Sequence, residues 1–340
     1  MSKAMNDSEP RGQVTRVMCT IIGCGVIGTS IADGLQAAGG DTQGTVPPTH
    51  QYRIRLVTRS EHHIADLQHR YPGSSITSCI RNMSLWGALP RHEVFGLHVV
   101  LICTQPQFTR DVCVDLRAIY ASAKHLNTDD PAVKQSMVSS SSLLSSWPKT
   151  VLEIPTVFVT ACPGIRVKTL ASWLPQNAAI VRTMPNTPAC IRQGATAAFA
   201  GPTVTAIPGA AEAVAALIRH VSPSLCFVPT EDLLDVAASV SGSAPAYIFT
   251  LMQAMVEAGV RRGLPPDIAA SLVKQSAFGS AGLALQTGQL GCLEKLTSDV
   301  CVPGGSTSQA MMVLHEEGFV SAVDRAIGVS LAANRAMSNN

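Results

Sequence analysis

The hexamer Gly23, Cys24, Gly25, Val26, Ile27, Gly28 stands between a β-branched apolar run, VTRVMCTIIG from Val14, and the segment IGTSIADGLQAAG, whose apolar residues recur at helical spacing. A strand that turns through glycines straight into a helix leaves few folds open. The first glycine allows a tight turn, the second lets the backbone approach a pyrophosphate, and the third brings helix and strand close together. Glycine turns also occur in unrelated α/β proteins, so the hexamer points to dinucleotide binding only because a strand and a helix flank it.

The rest of the chain extends that pattern. Ile54 to Thr58 (IRLVT) and Leu97 to Cys103 (LHVVLIC) read as fully buried strands with helical segments between them, which implies a doubly wound parallel sheet covered on both faces. Further strands are expected at 157–161, 179–184 and 195–199. Two stretches, 39–52 (GGDTQGTVPPTHQY) and 124–150 (with SSSSLLSSWP), read as surface insertions. From about Val228 strands give way to four apolar helical segments: 231–262 with a break at Gly242 to Pro245, 266–287, 307–317 and 319–337. The expected organisation is therefore an α/β Rossmann-like domain over 14–228 and an all-helical domain over 229–340. The second carries 10 acidic and 6 basic residues although the whole chain is +2, so the positive half is the one with the glycine turn.

Composition narrows the partners. Among 340 residues, a net charge of +2 and 4% aromatics supply neither a basic field nor stacking platforms, which argues against nucleic acid and for a small-molecule substrate. Residues 236–256 carry no charge over 21 positions, the length of a membrane span. They also contain Ser239, Ser241, Gly242, Ser243, Pro245, Thr250 and Gln253, so helices covered by a second copy of the chain are expected there rather than a membrane partner. Ten scattered cysteines without a C-x-x-C pair, behind an N-terminus lacking an apolar core, point to a reduced, cytoplasmic protein. The histidines show no paired metal spacing, and the adjacent His62 and His63 read as solvated surface.

Three loops carry the remaining chemistry. The second strand ends in Val57, Thr58, Arg59, Ser60, without the carboxylate that usually meets the ribose diol of NAD. A guanidinium and two hydroxyls suit a 2′-phosphate instead, which favours NADPH, with NADH as the alternate. The third strand runs into Cys103, Thr104, Gln105, Pro106 and Gln107, at the sheet edge where cofactor and substrate meet in open α/β folds; the bland reading is a strand-ending proline turn. Met184 to Pro188 sets two prolines around Asn186 and Thr187, a rigid loop with polar groups to offer. Val302 to Thr307 precedes a helix that Ser306 or Thr307 is expected to cap, with free N–H groups able to hold a carboxylate.

In this order and spacing the blocks resemble the Δ1-pyrroline-5-carboxylate reductase family over nearly the whole chain outside the first dozen residues and the two insertions. The family's Met-Pro-Asn-Thr-Pro followed by Gly-Ala-Thr stands at Met184 to Pro188 and Gly194 to Thr196. Its Gly-Ser-Gly-Pro-Ala-Tyr stands at Gly242 to Tyr247, its Gly-Leu-Pro at Gly263 to Pro265, and its Ser-Pro-Gly-Gly-x-Thr at Val302 to Thr307. The resemblance implies hydride transfer from NAD(P)H to the imine carbon of a five-membered ring bearing a carboxylate, the last step of proline biosynthesis. It implies that Ile22 to Ile27 hold the pyrophosphate and that Thr58, Arg59 and Ser60 hold the adenosine end, with Asn82 an adenine contact. Cys103, Thr104, Gln105 and Pro106, then Ala161, Cys162 and Pro163, would line the nicotinamide riboside, and Asn186 is counted with these cofactor contacts. The substrate carboxylate would lie on Gly305, Ser306 and Thr307, the Thr307 hydroxyl would face the ring nitrogen as the catalytic group, and Glu231 and Asp299 would be polar neighbours. Intertwined dimers, five to a ring, are the implied assembly.

Three positions depart from the family pattern. Gln105 stands where a lysine is usual, Val302 where a serine is usual, and Ala244 where a glycine is usual. The alternatives are another two-domain NADP(H) oxidoreductase, for which Lys274, Lys295 and His315 are the available helical-domain groups, and an NADP(H)-binding sensor without turnover.

Overall fold

A computed structural model describes residues 15–40, 50–87, 89, 94–126, 150–287 and 292–338. The inner parts of the two expected insertions, 41–49 and 127–149, lie outside the described residues, as does Val14.

Eight strands form one sheet: β1 (Thr15–Ile22), β2 (His50–Val57), β3 (Ser75–Thr77), β4 (Leu97–Ile102), β5 (Thr156–Thr160), β6 (Ala179–Pro185), β7 (Ala195–Ala200) and β8 (Ser224–Phe227). Their order is β3-β2-β1-β4-β5-β6-β7-β8. All neighbours run parallel except β6 and β7, which pair antiparallel from Val181 opposite Ala200 to Pro185 opposite Thr196. The order reverses between β1 and β4, and this places a crevice at the carboxyl ends of those two strands, where open α/β sheets bind ligands.

Every residue of β4 is buried, as expected of a central parallel strand covered on both sides. One face packs Val17, Cys19 and Ile21 against Ile31, Leu35, Val214 and Leu217 of helices α1 (Val26–Gly40) and α6 (Ala210–Arg219). The other packs Ile22, Val100, Ile102 and Phe158 against Cys113, Leu116 and Leu170 of α4 (Pro106–Leu126) and α5 (Val167–Trp173). Two shorter helices, α2 (His62–Arg70) and α3 (Met83–Trp86), complete the β2-β3-β4 connections. Residues 50–52, expected in a surface insertion, form the start of β2 instead, because they lie beside Thr15, Arg16 and Val17 in register.

The helical region divides differently from the expected boundary at 228/229. Helix α7 (Glu231–Ala237) and the π-helical turn Ala238–Gly242 belong to one compact unit with the sheet, together with the residues from Asn334 onward. The second unit, Ser243–Ala333, comprises α8 (Ala244–Arg261), α9 (Pro266–Thr287), α10 (Cys292–Val300), α11 (Ser306–Glu316) and most of α12 (Phe319–Ser338). Helix α10 was not expected, since its charged residues Glu294, Lys295 and Asp299 mask a short apolar face. Among the described residues of this unit only Pro245 and Ala269 are buried, whereas Phe249, Leu272, Phe278, Leu285, Val320 and Val329 are exposed. Such a bundle has almost no core of its own and presents its apolar faces for covering. No helix among the described residues is long and apolar enough to cross a membrane.

One buried polar group gives the sheet a pH dependence. His98 on β4 is fully buried, with Nε2 2.9 Å from Thr20 Oγ1 and Nδ1 3.3 Å from the Tyr120 hydroxyl. Burial, aided by the nearby Arg55 guanidinium, lowers its pKa from 6.5 to about 3. Between those values the unfolded chain binds a proton at this position that the folded chain does not, so stability is full above pH 6.5 and falls as the pH drops through that window. The slope from this group is about 1.4 kcal/mol per pH unit. Urea unfolding of His98→Gln should therefore be less stable than the parent at pH 7 but lose less on going to pH 5. Parallel losses in the two proteins would remove His98 from the acid response.

Candidate functional site

The glycine turn meets the demands read from its spacing. Gly23 has φ of +99°, and a Cβ there would stand 2.7 Å from the Cys103 carbonyl oxygen. A Cβ on Gly28 would stand 2.1 Å from the Gly23 oxygen and 3.3 Å from Ile21 Cγ2, so only glycine lets α1 start this close to β1. Gly25 has nothing within 4 Å of its would-be Cβ, which leaves its backbone open on the outer side. The Gly23 amide donates to Val57 O at 2.9 Å and the Cys103 amide to Ile22 O at 2.8 Å. The turn is thus tied to both neighbouring strands. Its first-turn amides and half-exposed rim suit an anion such as a pyrophosphate, with space left where side chains would otherwise intrude.

Around it the other strand ends converge. Thr104 Oγ1 lies 2.9 Å from Thr109 Oγ1, which lies 3.2 Å from Cys162 Sγ and donates at 3.1 Å to Gln105 O. This chain joins the loops after β4 and β5, so Cys103 to Pro106 and Ala161 to Pro163 form one wall. Three thiols sit in or near it, and burial pushes Cys24 up to about 11 and Cys103 up to about 12, with Cys162 raised as well. They are neutral at physiological pH and act as packing rather than as nucleophiles.

Several expected contacts have other occupations. Thr58 is buried, and its amide donates to Thr77 O at 3.0 Å, so Arg59 and Ser60 are the members of that trio that reach the surface. Asn82 caps α3, accepting from the Ser84 amide at 3.1 Å and hydroxyl at 2.8 Å. It also donates to Thr77 Oγ1 at 3.4 Å. Asn186 is buried, accepts from the Ala195 amide at 2.9 Å and donates to Ser241 O at 3.2 Å. Both ends of its amide hold protein backbone, so it staples its loop to the turn after α7.

Glu231 is similarly committed. Its Oε1 accepts from Arg182 Nη1 at 2.6 Å and from the Val167 amide at 2.7 Å. Arg182 is 1% exposed and lies 3.8 Å from Asp235, which also pairs with Arg166 at 3.6 Å, while Arg166 reaches Asp232 at 2.7 Å. Arg182 Nε and Nη2 have no hydrogen-bond partner among the described residues, so the pair with Glu231 is the main compensation for a buried guanidinium. The sequence offered no signal for this cluster beyond an arginine inside an apolar strand.

The Val302 to Thr307 turn belongs to the second unit. Helix α11 begins at Ser306, its N-cap is Gly305, and no side chain caps it, in contrast to the expected cap by Ser306 or Thr307. Gly304 has φ of +73° and the Gly305 amide donates to Val302 O at 2.9 Å, a tight turn that leaves the first-turn amides facing outward. Asp299 is exposed and pairs with Lys295 at 2.7 Å.

Residues 231–337 match the family described as pyrroline-5-carboxylate reductase dimerisation. A Delta-1-pyrroline-5-carboxylate reductase of Gibberella fujikuroi, apf3, is 44% identical over 322 residues, covering 94% of this chain and 95% of its own length. The chain belongs to the pyrroline-5-carboxylate reductase family. The Escherichia coli member is 29% identical over 324 residues, with 94% and 97% covered. A solved pyrroline-5-carboxylate reductase from Coxiella burnetii superposes with a TM-score of 0.71 at 26% identity, over 96% of this chain and 99% of that one. A Plasmodium falciparum pyrroline carboxylate reductase solved with NADP bound shares the fold at TM-score 0.66 and 17% identity, over 94% and 99%.

If Glu231 serves Arg182, then Glu231→Gln should cost about 3 kcal/mol in urea unfolding, the scale of breaking a buried pair. Unchanged stability with weakened substrate binding would instead restore Glu231 as a substrate contact.

Proposed function

We propose that this protein reduces Δ1-pyrroline-5-carboxylate to L-proline by hydride transfer from NADPH, with NADH as the alternate donor. The observation that carries this reading is a family relationship that runs through both units, from the glycine turn to Thr307. The glycine turn fits the group: a Cβ on Gly23 or Gly28 would fill the space that its backbone needs, and Gly25 stays open. When bound, NADPH supplies the hydride, and the imine carbon receives it while the ring nitrogen keeps its proton.

The chain's own residues then have mainly to bind and orient. The turn from Ile22 to Gly28 takes the pyrophosphate on the backbone amides that follow Gly23, whose own amide is held by Val57 O, and Arg59 and Ser60 take the 2′-phosphate. The wall formed by Cys103, Thr104, Gln105 and Pro106 with Ala161, Cys162 and Pro163 flanks the nicotinamide riboside. Thr58, Asn82 and Asn186 support these loops from behind. In the second unit Ser306 and Thr307 offer first-turn amides to the substrate carboxylate, while the Gly305 amide is held by Val302 O and shapes the turn, and Thr307 orients the ring nitrogen. Val302 in place of the family's serine leaves that task to backbone donors. The near absence of a core in Ser243–Ala333 supports a homo-oligomer built on this region, in which we place intertwined dimers assembling as a decamer. The free cysteines Cys19, Cys24, Cys79, Cys103, Cys113, Cys162, Cys190, Cys226 and Cys301 favour a reducing compartment, the cytoplasm.

The direct test follows NADPH absorbance on adding pyrroline-5-carboxylate: oxidation is expected, and NADPH binding without turnover would favour the sensor instead. Thr307→Ala should lower kcat by about tenfold through lost orientation while NADPH affinity stays within about twofold. Unchanged turnover would take Thr307 out of the mechanism. Arg59→Ala should weaken NADPH much more than NADH, and equal losses would count against the 2′-phosphate assignment.

A further inference from the structure

The loop after β2 and the first turn of α4 meet in a contact that sequence spacing did not announce. The Arg59 guanidinium carbon lies 3.8 Å from the centre of the Phe108 ring. In the sheet β1 lies between β2 and β4, so this stack spans the carboxyl end of β1, where the glycine turn begins. Phe108 is itself held. Its amide donates to Gln105 O at 3.0 Å, the neighbouring Thr109 hydroxyl donates to the same oxygen, and Gln107 Nε2 donates to Gln105 Oε1 at 2.8 Å.

A guanidinium resting on an aromatic ring has one face covered, while its in-plane N–H groups and its second face stay available. An exposed arginine otherwise spreads over many rotamers, and ordering it on binding costs free energy that a stacked arginine has already lost. The in-plane fork matches two oxygens of a phosphate, and the free face matches a purine. Gln105 adds no charge where the family usually has lysine, and Arg59 is a cation at this edge that Phe108 orders.

We propose that Phe108 is a positioning residue that sets the preference for a 2′-phosphorylated dinucleotide, by holding Arg59 flat so that its N–H fork addresses the 2′-phosphate and its outer face the adenine. This rests on the NAD(P)H-dependent reading above and adds to it the residue on which the cofactor choice depends. Phe108 touches no reacting atom.

The probes are 2′,5′-ADP and 5′-AMP, titrated calorimetrically into the full-length parent, Phe108→Leu and Phe108→Tyr, with KM for NADPH and NADH measured alongside. Phe108→Leu should weaken 2′,5′-ADP by about threefold to tenfold, the range of an aromatic–guanidinium contact, and 5′-AMP by less than about twofold. KM for NADPH should rise by a similar factor with a smaller change in kcat, and Phe108→Tyr, which keeps the ring, should return 2′,5′-ADP affinity to the parent level. Equal weakening of both probes, or none, overturns the proposal, as does a Phe108→Tyr variant no better than Phe108→Leu. If Phe108→Leu does not fold, the Phe108→Tyr and Phe108→Met pair decides on the same ratio. A parent protein that binds neither probe nor NADPH overturns the reductase reading itself, whereas a parent that binds 2′,5′-ADP tightly while Phe108→Leu does the same overturns only the role of Phe108.

Discussion

The closeness of α1 to β1 is the constraint from which the ligand-binding edge follows. The gap between Gly28 and the Gly23 carbonyl is smaller than any side chain permits, and the Gly23 backbone lies against the Cys103 carbonyl. Because the turn also bonds to Val57 and the strand end to Cys103, a shift of α1 would move the exits of three strands at once. The positions of Arg59, of the Cys103 to Pro106 loop and of the wall beyond it are all referred to that one approach. Glycine here is required by contact and by backbone conformation together, which is a stronger demand than flexibility alone.

The helical unit is governed by the opposite condition. Its helices α8 and α9 are poor in charge, yet Phe249, Leu272, Phe278 and Leu285 on them stand exposed, and among the described residues of the unit only Pro245 and Ala269 are buried. Helices of this kind owe little stability to their own chain. Association and folding of such a region are then coupled, so that stability depends on protomer concentration. The same uncharged stretch at 236–256 that has the length of a membrane span is broken by a π-helical turn at Ala238–Gly242 and by Pro245, and it falls within the residues that match the dimerisation family.

What could be read from the residues follows from how local each signal is. β1, β2 and β4 to β6 are legible because short apolar runs rich in β-branched residues suit a strand buried on both faces, whereas β7 carries only Thr196 of that kind. β3 and β8 are not legible, since three residues at Ser75–Thr77 and the mostly exposed SLCF at Ser224–Phe227 carry no such run. The residue types that could serve a ligand are visible in the sequence, but which of them the fold has already engaged is not. Asn186 and Glu231 have the chemistry of ligand contacts, and the fold engages that chemistry with Ala195 and Ser241 and with Arg182, while Thr58 is buried. These pairings join residues 9 to 55 positions apart, and nothing in a linear pattern distinguishes a polar group offered to solvent from one already engaged. Phe108 is the converse case, a residue with no motif that gains meaning only from Arg59 lying across the sheet edge.

The residues gathered at the glycine turn bear on how much proton chemistry this site can perform. Burial pushes the thiols of Cys24 and Cys103 up to about 11 and about 12, so neither is an acid or a nucleophile at neutral pH. The deeply buried His98 is locked to Thr20 and Tyr120 within the sheet, below the range in which histidine transfers protons. Thr104, Thr109 and Cys162 exchange hydrogen bonds with one another. A wall of this composition is poorly suited to general acid–base catalysis. Reduction of an already protonated imine asks for little more. The electrophile arrives activated, the donor carries its own hydride, and the protein's contribution is the angle and distance at which the two are presented. On that argument the turn at Gly23 to Gly28 contributes by fixing geometry rather than by moving protons.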